Sequence, residues 1–173
     1  SGSGRFQPDG GSEDCRSCPS GTFVATKNST ACQQCGAGGY CEGEGADTSM
    51  VFTQCAAGRW SAAIGLNSST GCVACGAGTY QPLTGASNAS QCLLCPTGTA
   101  SSVLGAASCT PCANGTYANE TGAVSCSPCE ACGANQWAPV TCHPIRGTLC
   151  EPCSNAACGA GQHRAGACAG SDN

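Results

Sequence analysis

The sequence predicts a small disulfide-rich fold, an elongated tandem array of short β-hairpin modules with almost no helix. The 173 residues include twenty cysteines but only two Trp, three Tyr, three Phe and one Met. So few large side chains cannot bury enough apolar surface to offset the entropy of ordering the backbone. A short cysteine signature also recurs along the chain. Cross-links between repeated units are therefore expected to replace a hydrophobic core.

The recurring signature is a cysteine, a Gly three residues later and an aromatic residue two residues after that. The cysteines that open it, here called head cysteines, are Cys18, Cys35, Cys55, Cys75, Cys95, Cys112, Cys132 and Cys158. The turn glycines are Gly21, Gly38, Gly58, Gly78, Gly98, Gly115 and Gly161. The module aromatics are Phe23, Tyr40, Trp60, Tyr80, Tyr117 and Trp137. Asn135 replaces the glycine once, and Ala100 and His163 replace the aromatic.

Each position of this signature has a physical interpretation. Glycine tolerates a positive φ, so a tight turn is expected directly after each head cysteine. Threonine and an aromatic residue then favour an extended strand, whose ring can lie across the nearby disulfide. Each module is thus predicted to be a strand, a turn and a returning strand, in contact mainly with its neighbours.

Spacing predicts the cross-links of the regular modules. A module ends in a cysteine three residues before the next head cysteine, so that C-x-x-C pairs join successive modules. Closing a loop of this size removes unfolded-state freedom worth about 3 kcal/mol. The predicted pairs are Cys18–Cys32, Cys55–Cys72, Cys75–Cys92, Cys95–Cys109 and Cys112–Cys126.

Two regions are less regular. Around the acidic, Gly-rich segment after Cys41, the pair Cys35–Cys41 is favoured over the interleaved pairs Cys35–Cys55 and Cys41–Cys72. Toward the C-terminus, repeated spacing predicts the pairs Cys129–Cys142, Cys132–Cys150 and Cys153–Cys168. Cys15 and Cys158 are left for partners beyond the chain. The domains expected are an N-terminal linker or fragment edge at 1–14, repeats over 15–132 with an insert at 41–55, and interleaved modules over 129–173, truncated at the C-terminus.

An oxidising, extracellular setting is expected from the cysteines and from five N-x-S/T sequons. The expected glycan sites are Asn28, Asn67, Asn88, Asn119 and, beside a tight turn, Asn114. The net charge of −4 comes from scattered residues, so neither nucleic acid nor an anionic membrane surface is an expected partner. The absence of an 18-residue apolar stretch and of a signal peptide suggests a mature or internal piece of a larger protein.

The stretch from Cys15 to Cys132 resembles the ephrin-receptor-like cysteine-rich repeats, whose units read C-P-x-G-T-Y and end in C-x-x-C. The matching hexapeptides run from Cys18 to Phe23 and from Cys95 to Ala100. The C-terminal part is similar to the interleaved modules of tumour-necrosis-factor-receptor ectodomains. This resemblance implies an extracellular module of a receptor, adhesion protein or surface protein. The wealth of Ala and Gly resembles green-algal glycoproteins of cell walls and of ciliary appendages such as mastigonemes.

Residue patterns typical of metal, redox or acid–base sites are weak in this sequence. The cysteines from Cys15 to Cys35 approach zinc-ribbon spacing, but the pairs continue along the chain as an unbroken series. No strand-helix-strand pattern surrounds a C-x-x-C motif, which disfavours thioredoxin-like redox activity. His143 and His163 lack clustered Asp or Ser, and the acidic segment with Glu42, Glu44 and Asp47 lacks the ligand spacing of a calcium loop. No cofactor or metal is therefore expected.

The function expected is that of a non-catalytic, rigid, glycosylated spacer and lateral contact surface within a larger extracellular glycoprotein at the cell surface or on a ciliary filament. Its partners would be other protein chains, through self-assembly or a filament partner, and N-linked glycans. The alternative from a different class is a receptor ectodomain that binds a protein ligand.

Overall fold

The fold is a series of short β-hairpins held by disulfides. A computed structural model describes residues 5–8, 15–24, 26, 29–45, 52–133 and 136–152. Sixteen strands pair there as eight antiparallel two-stranded hairpins, and two 3-10 turns are the only helical residues in these ranges. The predicted fold class, a small disulfide-rich tandem array of hairpins with almost no helix, is confirmed.

The hairpins fall into two compact units. The first unit comprises Ser1–Leu94 and Val103–Ser108 and contains five hairpins. Its strands pair as β1 (Arg5–Phe6) with β2 (Arg16–Ser17), β3 (Thr22–Phe23) with β4 (Gln33–Gln34), β5 (Gly39–Cys41) with β6 (Phe52–Gln54), β7 (Arg59–Trp60) with β8 (Val73–Ala74), and β9 (Thr79–Tyr80) with β10 (Leu93–Leu94).

The second unit comprises Cys95–Ser102 and Cys109–Asn173. Two of its hairpins are as short as those of the first unit, and the third has strands of eight and six residues. This long hairpin has register shifts on both sides of Val140. The pairs are β11 (Thr99–Ala100) with β12 (Thr110–Pro111), β13 (Thr116–Tyr117) with β14 (Ser127–Pro128), and β15 (Gln136–His143) with β16 (Gly147–Pro152).

The register of each short hairpin follows from the signature. In the first regular module, Thr22 pairs with Gln34 and Phe23 pairs with Gln33. The returning strand is therefore the two residues inside a C-x-x-C pair. The two cysteines of the module, Cys18 and Cys32, lie just outside these strands, and their Cα atoms are 5.7 Å apart, within disulfide distance.

The two longest loops each close with one 3-10 turn, at Ser69–Gly71 and Ala89–Gln91. These loops lie in the two modules whose cysteines are 17 residues apart, whereas Cys18–Cys32 spans 14. In the second turn, Asn88 and Gln91 form a capping box, in which each side chain bonds the other residue's backbone N–H. The turns therefore absorb the three extra residues without changing the strand register.

The interior consists of sulfur and small side chains. The largest side chains with less than 2% exposure are all cysteines: Cys18, Cys35, Cys41, Cys55, Cys75 and Cys95. The residue after the aromatic, called here the post-aromatic residue, is also buried in Val24, Cys41, Ser61, Gln81, Ser101 and Ala118. The module aromatics themselves are only partly buried. The buried position of the strand is thus one residue further along than the ring.

Two segments differ from their expected organisation. Strand β1 lies in the segment 1–14, which the sequence suggested was a linker, and its pairing with β2 builds a hairpin ahead of Cys18. In the segment 41–55, expected to be an insert, Tyr40 pairs with Thr53 just as Trp60 pairs with Val73 in the next module. Both segments therefore have the strand register of ordinary modules.

Candidate functional site

The cystines form a regular series along the described chain. Their Cα–Cα distances lie between 5.4 and 6.2 Å, the range of native disulfides. The bonds join Cys18–Cys32, Cys35–Cys41, Cys55–Cys72, Cys75–Cys92, Cys95–Cys109, Cys112–Cys126, Cys129–Cys142 and Cys132–Cys150. These are eight of the nine pairs expected from the sequence. The ninth, Cys153–Cys168, lies outside the described residues, as do Cys158, Gly161 and His163.

The turn after each head cysteine has the geometry that glycine permits. Turn glycines from Gly21 to Gly115 have φ between 75° and 84°. In four modules the next residue is a threonine whose hydroxyl donates to the carbonyl oxygen at the start of the turn, at 2.7–2.8 Å. These threonines are Thr22, Thr79, Thr99 and Thr116. The turn is thus closed by a side chain as well as by the backbone.

Backbone hydrogen bonds join each module to the next. The N–H of Gly38 donates to the carbonyl of Ser61, and the N–H of Ser61 donates in turn to the carbonyl of Ala86. The same two bonds recur along the chain at 2.8–3.1 Å. The N–H groups of the other turn glycines donate to carbonyls in the same way: Gly21 to Cys41, Gly58 to Gln81 and Gly98 to Ala118. The N–H groups of the other post-aromatic residues, and of Gln7 after Phe6, also donate to carbonyls. These bonds run from Gln7 to Ser29, Cys41 to Leu66, Gln81 to Ala106, Ser101 to Ala123 and Ala118 to Pro144.

A second glycine, ten residues after the head cysteine, completes this connection. In the module headed by Cys55 it is Gly65, whose N–H donates to the carbonyl of Cys35 at 2.7 Å. The second glycines have φ between 73° and 79°. They are Gly45, Gly65, Gly85, Gly105 and Gly122, and they donate to Cys18, Cys35, Cys55, Cys75 and Cys95. Sequence reasoning missed this position, although its fixed offset of ten residues is visible in the printed chain.

Three turn glycines of the first unit also contact the module two places further along. A Cβ on Gly21 would overlap the carbonyl oxygen of Gly65, and the same holds for Gly38 with Gly85 and for Gly58 with Gly105. These backbones approach so closely that no side chain fits between them. The modules therefore pack beyond their immediate neighbours, which the sequence did not predict.

The module headed by Cys35 is stapled differently from the others. Phe52 stands 17 residues after Cys35, at the position of the closing cysteine in the next two modules. Cys41 bonds Cys35 instead, from the buried post-aromatic position. The Phe52 ring lies against the backbone of Gly39, where even a Cβ would overlap it. The module headed by Cys35 thus differs from the next module at three positions that belong together, Gly39, Cys41 and Phe52.

The described sequon asparagines lie on the surface. Asn67, Asn88, Asn114 and Asn119 are all exposed. Asn67 and Asn88 stand at the starts of the two 3-10 turns, away from the hairpin strands. Asn28 lies outside the described residues. The geometry therefore leaves four sequons accessible.

The residues considered for other chemistry are not brought together. Within the described ranges, no group of three His, Cys, Asp or Glu side chains could hold a metal ion. His143 is half-buried, and its Nδ1 accepts a hydrogen bond from the N–H of Ile145. Glu42 and Glu44 are exposed, while Asp47 falls outside the described part. Cys15 is half-buried and has no disulfide partner among the described residues.

Comparison with known families agrees with this architecture. The family model described as tyrosine-protein kinase ephrin type A/B receptor-like matches residues 4–50, 64–108 and 98–137, which together make up more than half of the chain. The chain belongs to this ephrin-receptor-like family. No curated protein matches it.

Membership fixes the general nature of the chain. Ephrin-receptor-like repeats are non-catalytic, disulfide-rich extracellular modules. The match begins at residue 4, so it includes the hairpin of β1 and β2. None of the helices in the described part is long and apolar enough to cross a membrane. The features of this ephrin-receptor-like chain that can carry a function are the backbone bonds between its modules and its exposed surface.

Proposed function

We propose that this ephrin-receptor-like chain is a non-catalytic structural segment of a larger extracellular glycoprotein. It would act as a rigid spacer and lateral contact surface in a cell-surface or ciliary filament, such as a mastigoneme-type appendage. The observation that carries the proposal is the recurring set of backbone bonds that join each module to the next, together with three glycine contacts that reach the module after that in the first unit.

Rigidity follows from the chemistry of these contacts. Where a C-x-x-C pair joins two cystines, the link is only two residues long, and those residues are themselves paired as a strand. The longer link in the first unit, from Cys41 to Cys55, contains the paired strand β6. A hinge motion between modules of the first unit would break backbone hydrogen bonds at half-buried or buried glycines, and such bonds are costly to leave unmade. A spacer needs this resistance to bending.

The surface supports a role in lateral assembly. Large aliphatic side chains of the first unit stand one or two residues before the second glycines and are 61–71% exposed. They are Ile64, Leu83, Val103 and Leu104. Recurring exposed aliphatic residues suit contacts with other protein chains. Glycans at the exposed sequons would shield other parts of the surface from proteases and from non-specific contacts.

Backbone dynamics test the spacer directly. In ¹⁵N relaxation measurements on the oxidised chain, amides of residues 18–45 and 52–94 should report one common rotational correlation time. The reason is that the bonds between modules prevent independent tumbling. A chain reduced under the same conditions is the control and should show only fast local motion. Separate correlation times for successive modules would contradict the rigid spacer.

A further inference from the structure

Arg59 departs from the threonine that four modules carry between the turn glycine and the aromatic. The residue between turn glycine and aromatic is threonine in four modules, where its hydroxyl closes the turn. Arg59 occupies this position in the module headed by Cys55, and its backbone N–H alone makes the equivalent bond to Ala56. Its guanidinium extends across the module instead, where Nη1 donates to the carbonyl of Cys72 at 2.9 Å. A side-chain bond across the module thus replaces the hydroxyl bond of the turn.

The guanidinium lines a pocket between two neighbouring modules of the first unit. The pocket has a volume of about 480 Å³, large enough for a sugar ring. Most of its lining side chains carry hydroxyl or amide groups, and one presents an aromatic ring. They include Tyr40, Thr53, Gln54, Arg59, Ser69 and Thr70.

Arg59 gives this pocket a positive charge in a stretch of the chain that has few cations. Arg59 is the only Lys or Arg between Lys27 and Arg146. No described carboxylate forms an ion pair with it, and one guanidinium nitrogen is already fixed by Cys72. The planar guanidinium matches the two oxygens of a carboxylate, and surrounding hydroxyl groups match the hydroxyls of a sugar. Because most of the exposed lining is apolar and Arg59 is its one charged side chain, the pocket favours a ligand that combines one carboxylate with an apolar ring face.

We propose that this pocket, here called the Arg59 pocket, binds a single hexuronic acid residue within an otherwise neutral glycan. Arg59 would hold the carboxylate, Tyr40 would cover one face of the ring, and Ser69 and Thr70 would bond the ring hydroxyls. The net charge of −4 disfavours long polyanions, which is why a single acidic sugar is the expected ligand. The site goes beyond the spacer function and does not depend on it.

The proposal is tested by titrating the oxidised full chain, carrying Asn67→Gln so that its own glycan cannot fill the pocket. The probes are methyl glucuronide and its neutral counterpart methyl glucoside, followed by amide chemical shifts. Methyl glucuronide should shift the amides of Tyr40 and Thr70 and bind at least tenfold more tightly than methyl glucoside. Arg59→Thr should remove this preference, and it should fold because four modules carry threonine there.

Two further arms complete the test. Arg16→Thr, which changes an exposed strand arginine outside the pocket, is the matched control and should leave binding unchanged. Disulfide mapping of Arg59→Thr should show the same eight bonds, so that any loss of binding is not a folding defect. Equal binding of both sugars, no binding of either, or unchanged binding by Arg59→Thr would overturn the proposal. Equal binding of a capped glutamate would overturn the sugar assignment in favour of an acidic peptide.

Discussion

At the scale of single residues, three glycines separate the effects of backbone conformation and of packing. Gly58 has φ +82°, and a Cβ there would overlap the carbonyl oxygen of Gly105. Gly115 has φ +84° but nothing within 4 Å of a built Cβ. Gly76 has no positive φ and equally open surroundings. Alanine at each position therefore measures a different combination of strain and clash.

Gly58→Ala is expected to lower the free energy of unfolding by more than about 3 kcal/mol, since its clash is with backbone that cannot rotate away. Gly115→Ala should lower the free energy of unfolding by only about 1–2 kcal/mol, the cost of placing alanine in the left-handed conformation. Gly76→Ala should change stability by less than about 0.5 kcal/mol. Denaturant unfolding of the oxidised variants gives all three values. Equal losses for Gly58→Ala and Gly115→Ala would contradict the packing between modules two places apart.

The chemistry of individual residues explains which positions the sequence could identify. Turn glycines were predictable because a positive φ directly after a cysteine is a local requirement. The contact between Gly58 and Gly105 was not, because it depends on how modules stack. That the half-buried aromatics lie across the cystines stays a prediction. The burial of the residue after the ring was not predicted, since local strand propensity does not show which side chain points inward.

At the scale of the element, the module headed by Cys35 shows how one hairpin is closed in two ways. Its disulfide to Cys41 spans 6 residues, compared with 17 for Cys55–Cys72. Phe52 occupies the closing position, and Gly39 makes room for its ring. The strand register is nevertheless that of the following module. The strand pairing of the hairpin is therefore the same whether the second cysteine lies after the aromatic or at the closing position.

This equivalence predicts the result of moving the cysteine. Cys41→Ser alone should leave Cys35 as a free thiol and cost about 2 kcal/mol, the value expected for closing so short a loop. Adding Phe52→Cys should create a bond from Cys35 to position 52 and recover most of that loss. Non-reducing peptide mapping identifies the bonds, and denaturant unfolding measures the recovery.

Phe52→Ser is the control for this exchange and should keep the Cys35–Cys41 bond. Two titratable thiols in the double variant Cys41→Ser, Phe52→Cys would show that position 52 does not face Cys35. That result would contradict the shared register of these modules.

The spacing of the cysteines predicted the regular hairpins well because the closing cysteine marks the end of each module. Where Phe52 takes that place, the same spacing suggested an insert and left two pairings open for Cys35. The hairpin of β1 and β2 was missed for a similar reason, since Phe6 and Cys15 lie in the described residues without a head cysteine before them. Gly45, ten residues after Cys35, would have identified this stretch as an ordinary module.

At the scale of the whole molecule, sulfur takes the place of an apolar interior. Every large side chain with less than 2% exposure in the described part is a cysteine, whereas eleven large aliphatic or aromatic side chains there are exposed. No buried side-chain nitrogen or oxygen in those ranges lacks a hydrogen-bond partner. Stability must therefore come from covalent closure together with the backbone hydrogen bonds within and between modules.

Class and compartment were predictable at this scale because they follow from composition. Twenty cysteines with few aromatic residues admit few alternatives to a disulfide scaffold. The backbone network between modules was not predictable in the same way, since it involves no side-chain signature beyond glycine. The partners of the surface remain proposals that depend on the exposed aliphatic residues and on the Arg59 pocket.

Peptide mapping of the secreted chain without reduction, after blocking free thiols, tests the central claim most directly. The account predicts the eight bonds from Cys18–Cys32 to Cys132–Cys150, with none of these sixteen thiols blocked. Bonds closed within the C-x-x-C pairs, or a majority of alkylated cysteines, would contradict it.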